Sequence, residues 1–208
     1  MSINLILADA QAMVRQGLAA LLRAESDVAL LAQTADGEIA WTLIADHAPQ
    51  VAILDLCLPK ASGIEIARRV EAAALDTRVL LLALHDTPAA ALSAQQAGAM
   101  GYVLKDRPFE ELICAVRAVA AGQTFITPSV RAKLRTMQRN GDSTAPLSAR
   151  EQEVVCLMAK GHSSKEIARI LTISPGTVNT HRKRLMKKLG LHTAIEVVRW
   201  GVQGGVIV

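Results

Sequence analysis

The chain has 208 residues, 51% of them hydrophobic, with 23 Lys and Arg against 19 Asp and Glu and a formal net charge of +4. This composition is typical of a globular protein and excludes an intrinsically disordered one. The charge is unevenly divided. Residues 1–122 hold nine basic and fourteen acidic side chains, a net charge of −5, and residues 123–208 hold fourteen basic and five acidic, a net charge of +9. The asymmetry indicates two domains, the second of which binds a polyanion.

Several classes of protein are excluded next. No apolar run reaches the roughly 18 to 20 residues of a membrane helix, and residues 1–4 lack the basic segment that begins a signal peptide. We therefore expect a cytoplasmic protein with no membrane partner. Cys57, Cys114 and Cys156 lack the paired spacing of a zinc site. The few aromatic residues argue against a stacking platform for single-stranded nucleic acid.

Residues 1–122 alternate short apolar runs with longer segments of helical spacing. Runs such as Val79 to Leu82 are apolar throughout, so they predict parallel strands covered on both faces. A barrel would need eight units, so we predict an α/β fold with an open, five-stranded, doubly wound parallel sheet. The predicted strands are Ile3 to Ala8, Val28 to Gln33, Val51 to Leu56, Arg78 to Leu84 and Gly101 to Lys105. The predicted helices lie near residues 11–24, 36–47, 62–74, 88–97 and 108–121.

The pattern changes after Gly122. A polar helix is predicted over residues 127–140, and the Gly, Ser and Pro of residues 140–146 indicate a linker. The last 62 residues contain three or four short helical segments and no convincing strand. We predict a first domain over residues 1–122, a partly helical linker over 123–145 and a small all-α domain over 146–208.

Charged residues stand where the predicted strands end, at Asp9, Asp55 and Lys105. Ligands of open α/β sheets bind at this edge, and two carboxylates with one ammonium suit a divalent cation and an anionic group. From position alone, an Asp that caps the next helix or serves a turn is an equally good interpretation. No glycine-rich phosphate loop follows the first strand and no nucleophile with its base accompanies these residues, so we do not expect an enzyme.

Three segments of the first domain resemble the landmarks of receiver domains, and the resemblance extends over residues 1–122. These segments are Leu7 to Asp9, Leu54 to Pro59 with Gly63 downstream, and Ala97 to Lys105. The resemblance implies a flavodoxin-like receiver of a two-component system. It implies that Asp55 accepts a phosphoryl group from a histidine kinase, that Lys105 contacts this group, and that Mg²⁺ neutralises its charge.

Two positions depart from the receiver pattern. Ala10 stands where the family has a second acidic metal ligand, so Asp9 and Asp55 alone should hold Mg²⁺ weakly, and no other cofactor is predicted. Ala83 replaces the Ser or Thr whose hydroxyl turns toward the phosphoryl group and lets a strand-five aromatic, here Tyr102, follow. We expect phosphorylation of Asp55 to be slow, absent or poorly coupled to output. The signal would then be another small anion, or the receiver would be a fixed dimerisation module. The alternative is a conventional response regulator activated by phosphorylation of Asp55.

The second domain shows the pattern of a helix-turn-helix, in which a short turn joins two helices and the second helix is basic. Eight Lys or Arg and one acid lie between Lys160 and Lys188. Charge alone also suits a solvated face or an acidic protein partner, but the helix-start signals favour double-stranded DNA. These signals are Ser148 with Glu151, Ser163 with Glu166, and Ser174 before Pro175.

Residues 146 to 206 resemble the LuxR-type DNA-binding domain, and both domains together resemble the NarL/FixJ class of response regulators. The matching segments are Leu147 to Glu151, Lys165 to Ala168, Thr177 to His181 and Lys188 to Gly190. The resemblance implies that the third helix enters the major groove. Asn179, Thr180 and Lys183 are the candidates for base contacts, and Asn179 suits adenine. Val178 and Leu185 are assigned to the core. Candidates for phosphate contacts are Lys165, Thr177, Arg182, Arg184, Lys187 and Lys188.

A fourth helix is predicted over residues 193–202, with an apolar face suited to self-association. A homodimer would present two recognition helices about one turn of DNA apart, so we expect an inverted-repeat site. We also expect RNA polymerase as a partner.

Overall fold

The described residues of the structure, a computed structural model, divide into two compact units. Residues 2–84 and 94–132 form the first unit, and residues 88–93 and those from 133 onward form the second. None of the helices in the part of the chain that it describes is long and apolar enough to cross a membrane. The described residues are 2–84, 88–139, 147–189, 191–193 and 196–197.

The first unit is built on one parallel sheet with the strand order β2-β1-β3-β4-β5-β6. The five predicted strands are confirmed. A sixth strand of two residues pairs with β5 through Gly101 and Phe125, so the sheet extends past residue 122. A strand this short has no alternating pattern by which the sequence could reveal it. The strands are β1 (Ile3–Ala8), β2 (Val28–Thr34), β3 (Val51–Asp55), β4 (Arg78–Ala83), β5 (Gly101–Leu104) and β6 (Phe125–Ile126).

Helices follow the strands as predicted, and side-chain caps fix two of their starts. The Asp36 carboxylate accepts from the backbone N–H groups of Glu38 and Ile39, and the Ser62 hydroxyl accepts from Glu65 N. These caps satisfy N–H groups that have no partner inside the helix. The helices are α1 (Ala12–Ala24), α2 (Gly37–His47), α3 (Gly63–Ala72), α4 (Pro88–Gln96), α5 (Phe109–Ala120) and α6 (Pro128–Arg139).

The centre of the sheet forms the core of the first unit. Every residue of β3 is buried, as are Val79 to Leu82 of β4, because helices cover both faces. The start of α3 lies so close to β3 that only glycine fits at Gly63. A Cβ there would lie 2.6 Å from the Asp55 carbonyl oxygen and 2.8 Å from Leu81 Cδ2. The packing of the core thus sets the position of the loop that follows Asp55.

The second unit contains the predicted helix-turn-helix. Its helices are α7 (Ala149–Ala159), α8 (Ser164–Ile170) and α9 (Pro175–Leu189). Both predicted capping boxes are present, Ser148 with Glu151 and Ser163 with Glu166. Gly161 follows α7 with a φ of 81°, a left-handed conformation that glycine adopts without strain.

A small apolar core joins the three helices of the second unit. Val154 and Val155 of α7, Ile167 of α8, and Val178 and Leu185 of α9 are all fully buried. The assignment of Val178 and Leu185 to the core is therefore confirmed. The predicted linker over residues 140–146 and most of the predicted fourth helix over residues 193–202 lie outside the described residues, so both remain predictions.

Candidate functional site

Asp9, Asp55 and Lys105 meet at the carboxyl edge of the sheet. Asp9 directly follows β1, Asp55 ends β3, and Lys105 directly follows β5. The backbone N–H of Asp9 donates to Thr34 O at 3.0 Å, and that of Lys105 donates to Ala83 O at 2.7 Å. The ladder thus holds the backbone of both residues, and the side chains converge because parallel strands end at the same edge.

The Lys105 ammonium lies between the two carboxylates. Its Nζ is 2.7 Å from Asp9 Oδ2 and 3.1 Å from Asp55 Oδ2. The three side chains are almost fully buried, with exposed fractions of 4% for Lys105, 0% for Asp9 and 8% for Asp55. One positive charge therefore forms ion pairs with two buried carboxylates. Buried charges persist only when they are paired in this way.

The second oxygen of each carboxylate accepts a backbone hydrogen bond. Asp9 Oδ1 accepts from Gln11 N at 2.8 Å, and Asp55 Oδ1 accepts from Cys57 N at 3.1 Å. Burial raises the pKa of Asp9 above its usual value, and the nearby Asp55 charge adds to this effect, although Lys105 opposes it. Burial and the second carboxylate thus outweigh the ammonium in their effect on Asp9.

Alanine stands at two positions next to these residues, Ala10 directly after Asp9 and Ala83 at the end of β4. Ala10 is partly buried beside Asp9, and its methyl group offers no oxygen to a cation. Ala83 and Tyr102 are both buried on the neighbouring strands β4 and β5. Because Ala83 has no hydroxyl, it has no side-chain hydrogen bond to offer at the pocket.

These residues fit a magnesium ion poorly. All four oxygens of Asp9 and Asp55 already face a cation or an N–H group, and a metal ion would have to share them with the Lys105 ammonium, whose positive charge repels it. Among the described residues, no group of three or more His, Cys, Asp or Glu could hold a metal. Mg²⁺ is normally held by one or two carboxylates together with phosphate oxygens and waters, and here the Lys105 ammonium already offsets one of the two carboxylate charges.

The second candidate site is the outer face of α9. Asn179, Thr180 and Lys183 are exposed, while Val178 and Leu185 face the core. The apolar positions therefore turn the polar face of the helix outward. The remaining exposed candidates for phosphate contacts are Lys165, Thr177, Arg184 and Lys187, and Arg182 is half-buried.

Lys188 differs from the other basic residues of α9. Its Nζ lies 2.6 Å from Glu151 Oε2, and the Glu151 side chain is only 3% exposed. The same oxygen accepts from Ser148 N at 2.8 Å, so Lys188 ties the end of α9 to the capping box of α7. Burial disfavours the charged form of Glu151, but Lys188 and the Ser148 N–H together hold its pKa below the usual value. The Lys188 charge is thus engaged inside the domain.

Two family models match this chain. One is described as the response regulator receiver domain and matches residues 5–117, and the other, described as bacterial regulatory proteins of the luxR family, matches residues 145–201. The chain belongs to the luxR-type response regulators. It is therefore a DNA-binding regulator of transcription, in a family of regulators and not of enzymes.

Relatives of known name match the regulator over nearly its whole length. The oxygen regulatory protein NreC of Staphylococcus carnosus strain TM300 is 34% identical over 210 residues, which is 96% of this chain and 97% of the relative. The crystal structure of ChrA, a response regulator of a heme-sensing two-component system, is 34% identical with a TM-score of 0.56 and covers 99% of each chain. RcsB of Salmonella enterica serovar Typhimurium bound to a promoter is 25% identical with a TM-score of 0.76 and covers 97% of this chain and 98% of RcsB.

Two further residues of the DNA-binding unit, Ser164 and Arg169, were not among the candidates that the sequence pattern gave. Ser164, at the start of α8, hydrogen-bonds to both Asn179 and Arg182 of α9. Arg169 lies with Lys165 along a shallow groove that reaches Ser174 at the start of α9. The spacing of Lys165 and Arg169, four residues apart on α8, was a signal for a shared face. No local pattern pointed to Ser164, because its partners are 15 and 18 residues away.

Proposed function

We propose that this response regulator controls transcription from a receiver that needs little or no phosphorylation at Asp55. The observation that carries the proposal is that Asp9 and Asp55 share one ammonium, Lys105 Nζ, at 2.7 Å and 3.1 Å, while the Ala10 methyl group beside Asp9 offers no further carboxylate. The site therefore has two carboxylates and one fixed cation, and position 10 adds no third carboxylate. A phosphoryl group on Asp55 would add negative charge to this site. The acidic metal ligand that receiver domains have at the position of Ala10 is missing, so less metal charge would be available to neutralise the phosphoryl group.

The absence of a hydroxyl at Ala83 supports weak coupling as well. A phosphoryl group on Asp55 would find no side-chain donor on β4, so its formation would change few contacts there. A ligand shifts an equilibrium only by its differential interaction with the two states. Two modes of action remain compatible with this site. In one, a small anion that pairs with Lys105 is the signal. In the other, the receiver responds to no signal and serves as a constant dimerisation module.

For the DNA-binding half, we infer that α9 enters the major groove with Asn179, Thr180 and Lys183 toward the bases. Their exposure and the burial of Val178 and Leu185 support this orientation. The exposed cations around them would meet phosphates, which fix the register of the helix on DNA. We further propose a cytoplasmic homodimer on an inverted-repeat operator, with RNA polymerase as the downstream partner.

The alternative is conventional activation by a histidine kinase. The contact of Lys105 with Asp55 favours it, because an ammonium at this distance could also hold phosphoryl oxygens. Such a regulator would be phosphorylated at Asp55 despite Ala10 and Ala83, and its output would depend on that carboxylate.

The test separates these two functions. The full-length protein is incubated with acetyl phosphate and Mg²⁺, and the modified fraction is measured by intact mass, with Asp55→Asn as the blank. The matched control is Ala10→Asp, which restores an acid beside Asp9. We expect little labelling of the native protein and at least a tenfold faster reaction of the control. DNA affinity and reporter output should be the same for Asp55→Asn and the native protein. Rapid, stoichiometric labelling of native Asp55 would overturn the proposal.

A further inference from the structure

Ser164 joins the two helices of the DNA-binding motif through its hydroxyl group. Arg182 Nη1 donates to Ser164 Oγ at 2.6 Å, and Ser164 Oγ donates to Asn179 Oδ1 at 3.0 Å. Asn179 and Arg182 are three residues apart on α9, so they lie on neighbouring turns of the same face. Ser164 belongs to α8, and its hydroxyl therefore reaches across the motif to a proposed base-reading residue.

The chemistry of the three groups fixes the direction of each hydrogen bond. The Arg182 guanidinium has donors only, so the Ser164 oxygen must accept from it. The Ser164 hydroxyl keeps one proton, which it donates to Asn179 Oδ1. The amide of Asn179 is thereby held with its oxygen toward α8 and its Nδ2 hydrogens away from Ser164. Asn179 Oδ1 retains a second lone pair, and Nδ2 retains both protons.

This arrangement leaves Asn179 competent to pair with adenine. Bidentate recognition of adenine requires one amide acceptor for N6 and one amide donor for N7. Both remain on Asn179, and the bond from Ser164 restrains the position of the amide at the end of the side chain. A side chain that is already oriented loses less conformational entropy when it binds.

We infer that Ser164 is a positioning residue for base recognition, which sets the amide of Asn179 and the guanidinium of Arg182 before DNA arrives. The inference rests on the proposed base-reading role of Asn179. It adds a residue of α8 that meets no base itself and still determines which base is preferred.

The role of Ser164 is separable from the stability of the helix. The cap of α8 is the neighbouring Ser163, whose hydroxyl accepts from Glu166 N at 3.3 Å. The core contacts of α8 come from Ile167 and Ala168. Substitution of Ser164 by Ala thus keeps the capping box and the core and removes only the bridge between the helices.

The experiment selects preferred sites for the full-length protein from a randomised duplex DNA library and measures base preference at each position. The variants are Ser164→Ala, Ser164→Thr and Asn179→Ala. We expect Asn179→Ala to relax one position by about fivefold or more. Ser164→Ala should relax the same position by about threefold to tenfold, the effect of one neutral hydrogen bond. Ser164→Thr keeps the hydroxyl and should restore the preference.

The outcomes distinguish the inference from the proposed function. If Asn179→Ala relaxes no position, the base-reading role of Asn179 is wrong, and the inference about Ser164 falls with it. If Asn179→Ala relaxes a position that Ser164→Ala leaves unchanged, only the positioning role is wrong. A uniform loss of affinity across all sequences in Ser164→Ala, with base preference unchanged, would limit the bridge to holding Arg182 and the two helices and would overturn its role in base recognition. When Ser164→Ala is combined with Asn179→Ala, it should cause no further relaxation at the position that Asn179 reads.

Discussion

Lys187 and Lys188 are adjacent lysines that the sequence treats alike and the structure separates. Lys187 is exposed on α9, whereas Lys188 pairs with the nearly buried Glu151 at 2.6 Å. Replacing Lys188 by Ala leaves the Glu151 carboxylate with the Ser148 N–H but without a counter-ion. Replacing Lys187 by Ala removes one exposed charge and no contact of this kind. The pair of variants therefore tests stability and phosphate binding separately.

The expected loss of stability follows from the burial of the pair. Breaking a fully buried ion pair costs about 3 to 5 kcal/mol. Lys188 is 21% exposed and Glu151 keeps its hydrogen bond from Ser148, so water and the N–H offset part of the loss. We expect Lys188→Ala to destabilise the DNA-binding unit by about 1 to 3 kcal/mol. Lys187→Ala should change its stability by less than about 0.5 kcal/mol.

Hydrogen exchange of the full-length protein measures this effect by peptide. Peptides from α7 and α9 should lose protection in Lys188→Ala, while peptides from β1 and β3 serve as the internal control. Because the folded state lowers the pKa of Glu151 from its usual 4.5, the ion pair stabilises the unit above that pH. Its contribution should disappear as the pH falls through the lowered pKa, so the two proteins should converge in acid.

DNA binding provides the complementary readout. Each lost phosphate contact lowers the magnitude of the slope of log affinity against log salt by about 0.9. We expect this change in Lys187→Ala and not in Lys188→Ala. If Lys188→Ala keeps the native exchange protection and lowers the magnitude of the slope by about 0.9, Lys188 is a phosphate contact and its structural role is wrong.

Two further predictions concern the receiver. The folded state raises the pKa of Asp9 above 3.8, so the native protein loses stability as the pH rises through the raised pKa. Asp9→Asn should therefore be more stable than the native protein at neutral pH. Below pH 3.8 the two proteins should be similarly stable. Thermal unfolding across that pH range checks this, and a gain that grows toward acid would contradict it. Gly63→Ala should destabilise the receiver by about 1 to 3 kcal/mol, since its Cβ would meet the Asp55 carbonyl at 2.6 Å, and an unchanged melting temperature would show that the loop moves freely.

The sequence was sufficient for the fold because its signals are local and repeated. The continuous apolar runs of β3 and β4 predict buried parallel strands, and the capping boxes at Ser148 and Ser163 mark helix starts within a few residues. The predicted parallel sheet also implied that Asp9, Asp55 and Lys105 lie close together, because the carboxyl ends of parallel strands meet at one edge. The sequence did not reveal β6, because a strand of two residues is too short to show an alternating pattern.

What the sequence alone determined is thus the order of the elements, the family resemblance and the charged residues of each half. Only the tertiary structure decided how those charges pair. It set Lys105 between two carboxylates, committed Lys188 to Glu151, and joined Ser164 to Asn179 and Arg182. Each of these contacts joins residues on different elements of the fold. The physical reason is that a side chain's partner depends on the packing of whole elements, whereas its helix or strand depends mainly on its neighbours in sequence.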